Sequence, residues 1–180
     1  MKNICLFLLL FLVGFLTESS AQLGWQEFMS YEGKFRVLTP GKMKEKTQSL
    51  ETGLGLIQYH SFFFEPKEKD ADNLVYLLSY CDYPMEAVHS DSTALMQEFY
   101  ATTIAAAVES VKGELLYQTE VFLDDYAGRY WRVDYNEGEA TIKTKAYVVK
   151  NRYYSIQTIT LKGKSLNISA DHFLDSFSLL

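Results

Sequence analysis

Four strand-length runs rich in apolar and β-favouring residues follow one another in the second half of the chain. They span 114–123, 128–136, 139–150 and 152–162, with turn-forming residues such as Asn136-Glu137-Gly138 between them. Connections this short join antiparallel neighbours, because a parallel crossover needs a dozen or more residues. The sequence therefore predicts an antiparallel meander, and this prediction constrains the fold more than any other feature.

The first half of the chain adds further strand-like segments. A hairpin across Thr52-Gly53 joins 43–51 to 55–65, since glycine permits the backbone conformations that tight turns need. The other predicted strands lie at 25–29, 33–38 and 74–82.

One strong helical pattern interrupts the strands at about 92–112. Ser92 is an N-cap candidate, and Gly113 is the predicted C′ residue that ends the helix. A shorter amphipathic segment predicts a C-terminal helix at about 166–177. The predicted fold class is α+β, with a mainly antiparallel β-sheet flanked by these two helices. The apolar positions that repeat at helical spacing in the long helix are Leu95, Met96, Phe99, Tyr100, Ile104, Ala107, Val108 and Val111.

Residues 1–21 have the pattern of a secretory signal peptide. Lys2 precedes an apolar run of about thirteen residues, shorter than the roughly 20 that span a bilayer, and Ser19 and Ala21 are small residues at a cleavage site. We expect a mature chain of residues 22–180 that forms a single domain without a stable membrane anchor. An uncleaved N-terminal anchor is the alternative. The favoured destination is a bacterial periplasm or the space beyond it.

Cysteine content and charge exclude several classes of protein. Cleavage would remove Cys5 and leave Cys81 as the only cysteine. No intramolecular disulfide is therefore expected, and Cys81 is predicted to be a small buried apolar residue.

The net charge of −6 argues against general binding to nucleic acid or to anionic membranes, because both require basic surfaces.

The sequence contains no recognisable catalytic or metal-binding motif. His60, His89 and His172 stand far apart, and no H-x-x-x-H or C-x-x-C element is present. We therefore expect no metal, no cofactor and no catalytic site. An enzyme would require two of His60, His89, Cys81 and a carboxylate to meet in one cleft.

Basic and aromatic residues recur along the last three predicted strands. Within 139–149, Lys143, Lys145 and Tyr147 alternate with apolar residues and so share one face. Such a face can recognise an acidic partner or a sugar. Two other interpretations are a solvent face whose lysines pair with Asp134 and Glu120, and a face that is fully covered. The candidate binding-face residues are Arg129, Trp131, Arg132, Lys143, Lys145, Tyr147, Arg152 and Tyr154.

Scattered apolar and turn residues between 25 and 180 carry a family resemblance. They are Trp25, Ser30, Glu32-Gly33, Phe35, Val37, Pro40, Tyr80-Cys81-Asp82-Tyr83-Pro84 and Phe173-Leu174-Asp175-Ser176-Phe177. With these residues the chain resembles the PsbP-like superfamily over nearly all of 25–180. This superfamily includes the PsbP extrinsic subunit of photosystem II, the Ran-binding Mog proteins and many secreted bacterial proteins. The resemblance implies an antiparallel sheet flanked by helices, in a family whose better-known members bind other proteins.

These observations favour an exported, non-enzymatic binding domain whose partner is a protein or another envelope component. The alternative is a carrier that holds a small apolar molecule between the sheet and the helix 92–112, with Phe62, Phe63 and Phe64 among its walls. A large apolar cavity would favour the carrier, and a solid core would favour the binding domain.

Overall fold

The structure is a computed structural model that describes residues 24–180. The predicted signal peptide, with Cys5, lies outside the described residues. The strands of the larger sheet are β3 (Lys44–Thr52), β4 (Gly55–Phe64), β5 (Val75–Asp82), β6 (Glu114–Leu123), β7 (Tyr126–Tyr135), β8 (Ala140–Val149) and β9 (Arg152–Leu161). These seven strands are antiparallel and lie in the order β3-β4-β5-β9-β8-β7-β6.

The predicted meander is confirmed, because β6, β7, β8 and β9 are consecutive neighbours in the sheet. The predicted hairpin is also present as the pair β3–β4. The two halves of the sheet meet where β5 pairs with β9, in a register that runs from Val75 opposite Ile159 to Asp82 opposite Arg152.

A smaller sheet covers part of one face of the larger sheet. It consists of β1 (Gln26–Ser30), β2 (Phe35–Thr39) and β10 (Ser178–Leu179), in the order β1-β2-β10. Phe35 and Val37 alternate with more exposed residues along β2 and are buried against the larger sheet, as period-2 patterning requires. The sequence did not predict β10, which is only two residues long.

The two helices lie on opposite faces of the larger sheet, which confirms the α+β class. Helix α1 (Thr93–Ser110) packs through Met96, Tyr100 and Ile104, and the Ser92 hydroxyl caps its N-terminus. Helix α2 (Ile168–Asp175) is shorter than predicted and packs beside the smaller sheet. No helix within residues 24–180 is both long and apolar enough to cross a membrane.

The end of α1 differs from the prediction in one respect. Val111 is the C-cap, and Lys112, with a φ of 49°, takes the left-handed conformation expected of a C′ residue. The Lys112 and Gly113 amides then donate to the carbonyls of Glu109 and Val108, which is a Schellman motif. Gly113 is required for another reason: a Cβ there would lie 2.5 Å from a methyl group of Val133.

Candidate functional site

The candidate binding-face residues do not form one surface. Trp131 is 1% exposed and packs beneath α1, and Arg129 lies on the same side of the sheet, over the ring of Tyr100. Tyr147 and Tyr154 pack on the opposite side, in the core beneath the smaller sheet. Successive residues of a strand point to opposite faces of the sheet. The group predicted from the sequence combined residues that point to one face with residues that point to the other.

The face that carries the two lysines is covered by α2 and is not exposed. Lys143 is 5% exposed, with its Nζ atom 3.4 Å from an Asp171 carboxylate oxygen, and Lys145 forms an ion pair with Asp175. The two aspartates are four residues apart and therefore lie on one side of α2. This geometry matches the third interpretation, a covered sheet face, and corrects the expectation of an open one.

The acids expected to pair with the lysines instead bind arginines. Arg129 contacts Glu120 across strands at 2.8 Å. Arg132 lies on the covered face, where its Nε is 3.0 Å from Asp134 and its guanidinium also donates to the Thr141 hydroxyl. These charges are satisfied within the described residues.

Arg152 and Tyr154 line an open pocket of about 350 Å³ at one end of the sheet. The Arg152 guanidinium donates two hydrogen bonds of 2.6 Å to Asp82 and one to the Glu32 carbonyl, and it lies 4.8 Å from the centre of the Tyr80 ring. The Asp82 carboxylate raises the pKa of Arg152. Each of its three guanidinium nitrogens has a partner, and through the Glu32 carbonyl Arg152 anchors the β1–β2 connection to the sheet.

His60, His172 and Cys81 lie in separate surroundings. The His60 ring stacks on Tyr80 with centroids 4.5 Å apart, His172 stacks on Trp25, and Cys81 is buried beneath α1. His60 and Tyr80 are directly opposite in the β4–β5 register, so His60 faces away from Cys81. Within residues 24–180, no group of three or more His, Cys, Asp or Glu side chains is arranged to hold a metal ion.

A more open surface lies where α1 overhangs the edge strand β6. Leu116 and Phe122 are exposed here, and Phe122 retains 65% of its accessible surface. Tyr117 is also exposed, but it lies opposite Arg132 and therefore belongs to the other face of the sheet. Among the described strands, β6 pairs only with β7, so its outer edge is open. We call this region the α1–β6 surface; it comprises β6, the groove described next and the turn at Asp124 and Asp125.

An apolar groove of about 420 Å³ runs between α1 and β6 and opens to solvent. The small side chains of Ala101 and Ala105 line its helix side. The groove is lined by Ala101, Ile104, Ala105, Val108, Glu109, Leu115 and Gln118.

The arrangement of sheets and helices has a counterpart of known structure. No family model and no curated protein compared with the chain matches its sequence. The solution structure of cyanobacterial PsbP (CyanoP) from Synechocystis sp. PCC 6803 superposes with a TM-score of 0.60. The match covers 90% of this chain and 96% of that chain, at 10% sequence identity. The chain has a PsbP-like fold. This confirms the fold implied by the resemblance.

Sequence reasoning missed the α1–β6 surface of this PsbP-like fold, although a signal was present. Along β6, apolar residues occur at both parities near each end, as in Leu115-Leu116-Tyr117 and Val121-Phe122-Leu123. A strand that buries one face alternates between apolar and polar residues. Consecutive apolar residues on an edge strand place apolar side chains on both faces and indicate surface that the chain leaves exposed.

Cys81 is expected to be unreactive in the folded protein. Burial raises the pKa of its thiol to about 11, so almost no nucleophilic thiolate exists near neutral pH. In the chain that begins at Gln22, a thiol-reactive chromophore should label Cys81 only after denaturation. Fast labelling of the native chain would contradict the burial and reopen the possibility of thiol chemistry.

Proposed function

We propose that this chain is an exported, non-catalytic binding domain that docks on another protein through the α1–β6 surface. The observation that carries the proposal is the juxtaposition of an apolar groove, an open sheet edge and exposed large apolar side chains. Exposed apolar side chains grouped beside an apolar groove mark interaction sites in soluble proteins. The leader-like residues 1–21 support export.

The packing between α1 and the larger sheet supports docking over the carrier function. Met96, Tyr100 and Ile104 of the helix meet Trp131 and Tyr153 of the sheet, and none of the five is more than 7% exposed. A small apolar ligand enclosed between these layers would have to displace side chains that already fill the space, and the groove between α1 and β6 is open to solvent and not an enclosed cavity.

The PsbP-like fold also supports a binding role. The better-known members of the superfamily that the sequence resembles act by binding other proteins. His60 and Cys81 point to opposite faces of the larger sheet, which supports a non-catalytic role.

Affinity capture from an envelope extract of the source organism tests the proposal. The chain beginning at Gln22 should retain a protein, and the double variant Leu116→Ser, Phe122→Ser should lose it with little change in melting temperature, because both side chains are already exposed. A matched control is Leu54→Ser, Leu56→Ser in the β3–β4 hairpin, which also replaces two exposed leucines and should retain the protein. Equal retention by both double variants, or copurification of a lipid or metabolite in place of a protein, would contradict docking at this surface.

A further inference from the structure

The α1–β6 surface also specifies what kind of partner it fits, and this inference rests on the proposed function. We propose that the partner contributes an extended, cationic segment that pairs with β6 and extends the seven-stranded sheet by one strand. Strand addition to an open sheet edge is a recurrent mode of peptide recognition.

The two edges of the larger sheet are unequal. The outer strand β3 carries Lys44, Glu45, Lys46 and Glu51, and charged side chains of this kind protect sheet edges against pairing. In β6, a bulge at Leu116 interrupts the register with β7. The run that follows, 117–123, contains no proline and a single charged residue.

The hydrogen-bonding groups of this run are available to another strand. Its charged residue, Glu120, is bound to Arg129, which draws the carboxylate toward β7. In an edge strand, about every second residue directs its N–H and C=O outward, where only water can satisfy them. A strand placed beside 117–123 would satisfy these groups and extend the groove with its own apolar side chains on the α1 side.

Charge determines which segment fits. The region around the groove and edge contains Glu109, Glu114, Asp124 and Asp125, none of which takes part in an ion pair among the described residues. Lys112 is the only lysine or arginine between Asp70 and Gly128 in the sequence. A lysine- or arginine-bearing segment complements this surface, whereas a second copy would bring the same acids together.

Peptide binding tests the inference. The chain beginning at Gln22 is suitable because residues 24–180 contain both sheets and both cores. The probe is a fluorescent peptide of about nine residues that alternates valine and threonine between lysines at its ends. A second peptide of the same sequence, N-methylated at alternate residues, keeps the charge and composition but cannot pair as a strand. We expect the N-methylated peptide to bind at least tenfold more weakly, because it loses several inter-strand hydrogen bonds and a tenfold change in affinity corresponds to only about 1.4 kcal/mol.

Two glutamines provide a matched pair of protein variants. Gln118 lies on β6 in the groove and Gln48 lies on β3, and both are exposed on edge strands. Gln118→Lys should weaken binding of the cationic peptide by about two- to fivefold, because it adds a positive charge at the site. Gln48→Lys should leave the binding affinity unchanged. Amides of 117–123 should become protected from hydrogen exchange when the unmodified peptide binds.

Three results would overturn the inference. The first is that the N-methylated peptide binds as tightly as the unmodified one. The second is that a peptide with glutamates in place of the lysines binds equally well. The third is that the protein alone forms a dimer that protects 117–123, which identifies a second copy as the occupant. Each of these leaves the capture experiment with Leu116→Ser, Phe122→Ser unaffected, so failure of strand addition is distinguishable from failure of docking.

Discussion

Phe35→Ala is expected to destabilise the protein by about 3–5 kcal/mol, a large fraction of the stability of an ordinary domain. Phe35 is 0% exposed and joins the two sheets. Its ring lies 5.7 Å from Phe62 of β4 and 6.2 Å from Tyr154 of β9, measured between ring centroids. Removing it leaves a cavity between layers that cannot close without moving a whole sheet.

Urea denaturation of wild type and variant measures this loss. The matched control is Phe122→Ala, the same substitution at a residue that is 65% exposed, which should change the free energy of unfolding by well under 1 kcal/mol. A Phe35→Ala variant as stable as Phe122→Ala would mean that the smaller sheet does not depend on this contact. Because Phe122 belongs to the α1–β6 surface, the same control shows whether a substitution there leaves the free energy of unfolding unchanged, as the binding experiments require.

Alkaline pH is expected to unfold the protein over a narrow range, because many tyrosines are buried in their neutral form. Burial raises the pKa of Tyr80 and of Tyr147 from 10.0 to about 12 in each case. The pKa values of Tyr59, Tyr76, Tyr83, Tyr100, Tyr130, Tyr153 and Tyr154 are also raised, with burial as the largest cause.

The unfolded chain ionises first, near pH 10, so these groups contribute their full stability below that pH and lose it as pH rises toward the folded-state values. Each pKa unit corresponds to about 1.4 kcal/mol per group, and the contributions of several groups accumulate. The melting temperature, followed by circular dichroism, should therefore fall steeply above pH 10.

Tyr147→Phe tests the cause directly. It keeps the stacking on Phe177 but removes the ionisable hydroxyl, so the alkaline loss of melting temperature should become smaller. Tyr31→Phe is the control, because Tyr31 is 81% exposed and should leave the loss unchanged. A melting temperature that stays constant above pH 10, or equal behaviour of the two variants, would contradict this account.

The elements that the sequence predicted correctly are those with local signals. The turns at 124–125 and 136–138 set the meander, and the three- and four-residue spacing from Leu95 onward set α1. The burial of Cys81 was also predicted correctly, since it lies in a continuous apolar run. The two-residue strand β10 was missed because it has no periodicity of its own and exists only through pairing with β2.

The candidate site was predicted less well, because alternation along a strand does not reveal what covers its face. The spacing of Lys143 and Lys145 correctly places them on one face, yet their partners Asp171 and Asp175 lie 28 and 30 residues away in α2. The α1–β6 surface depends likewise on how α1 is positioned over an edge strand, and strand order is a long-range property.

The seam between β5 and β9 has a consequence for how the protein is made. It joins residues that are 70 positions apart at the Arg152–Asp82 contact, so closing it carries a large cost in chain entropy. A nascent chain that ends before β9 leaves the inner edge of β5 without its partner and cannot complete either core. Folding is thereby delayed until β9 is available, which would suit the export that we propose, because translocation requires an unfolded chain.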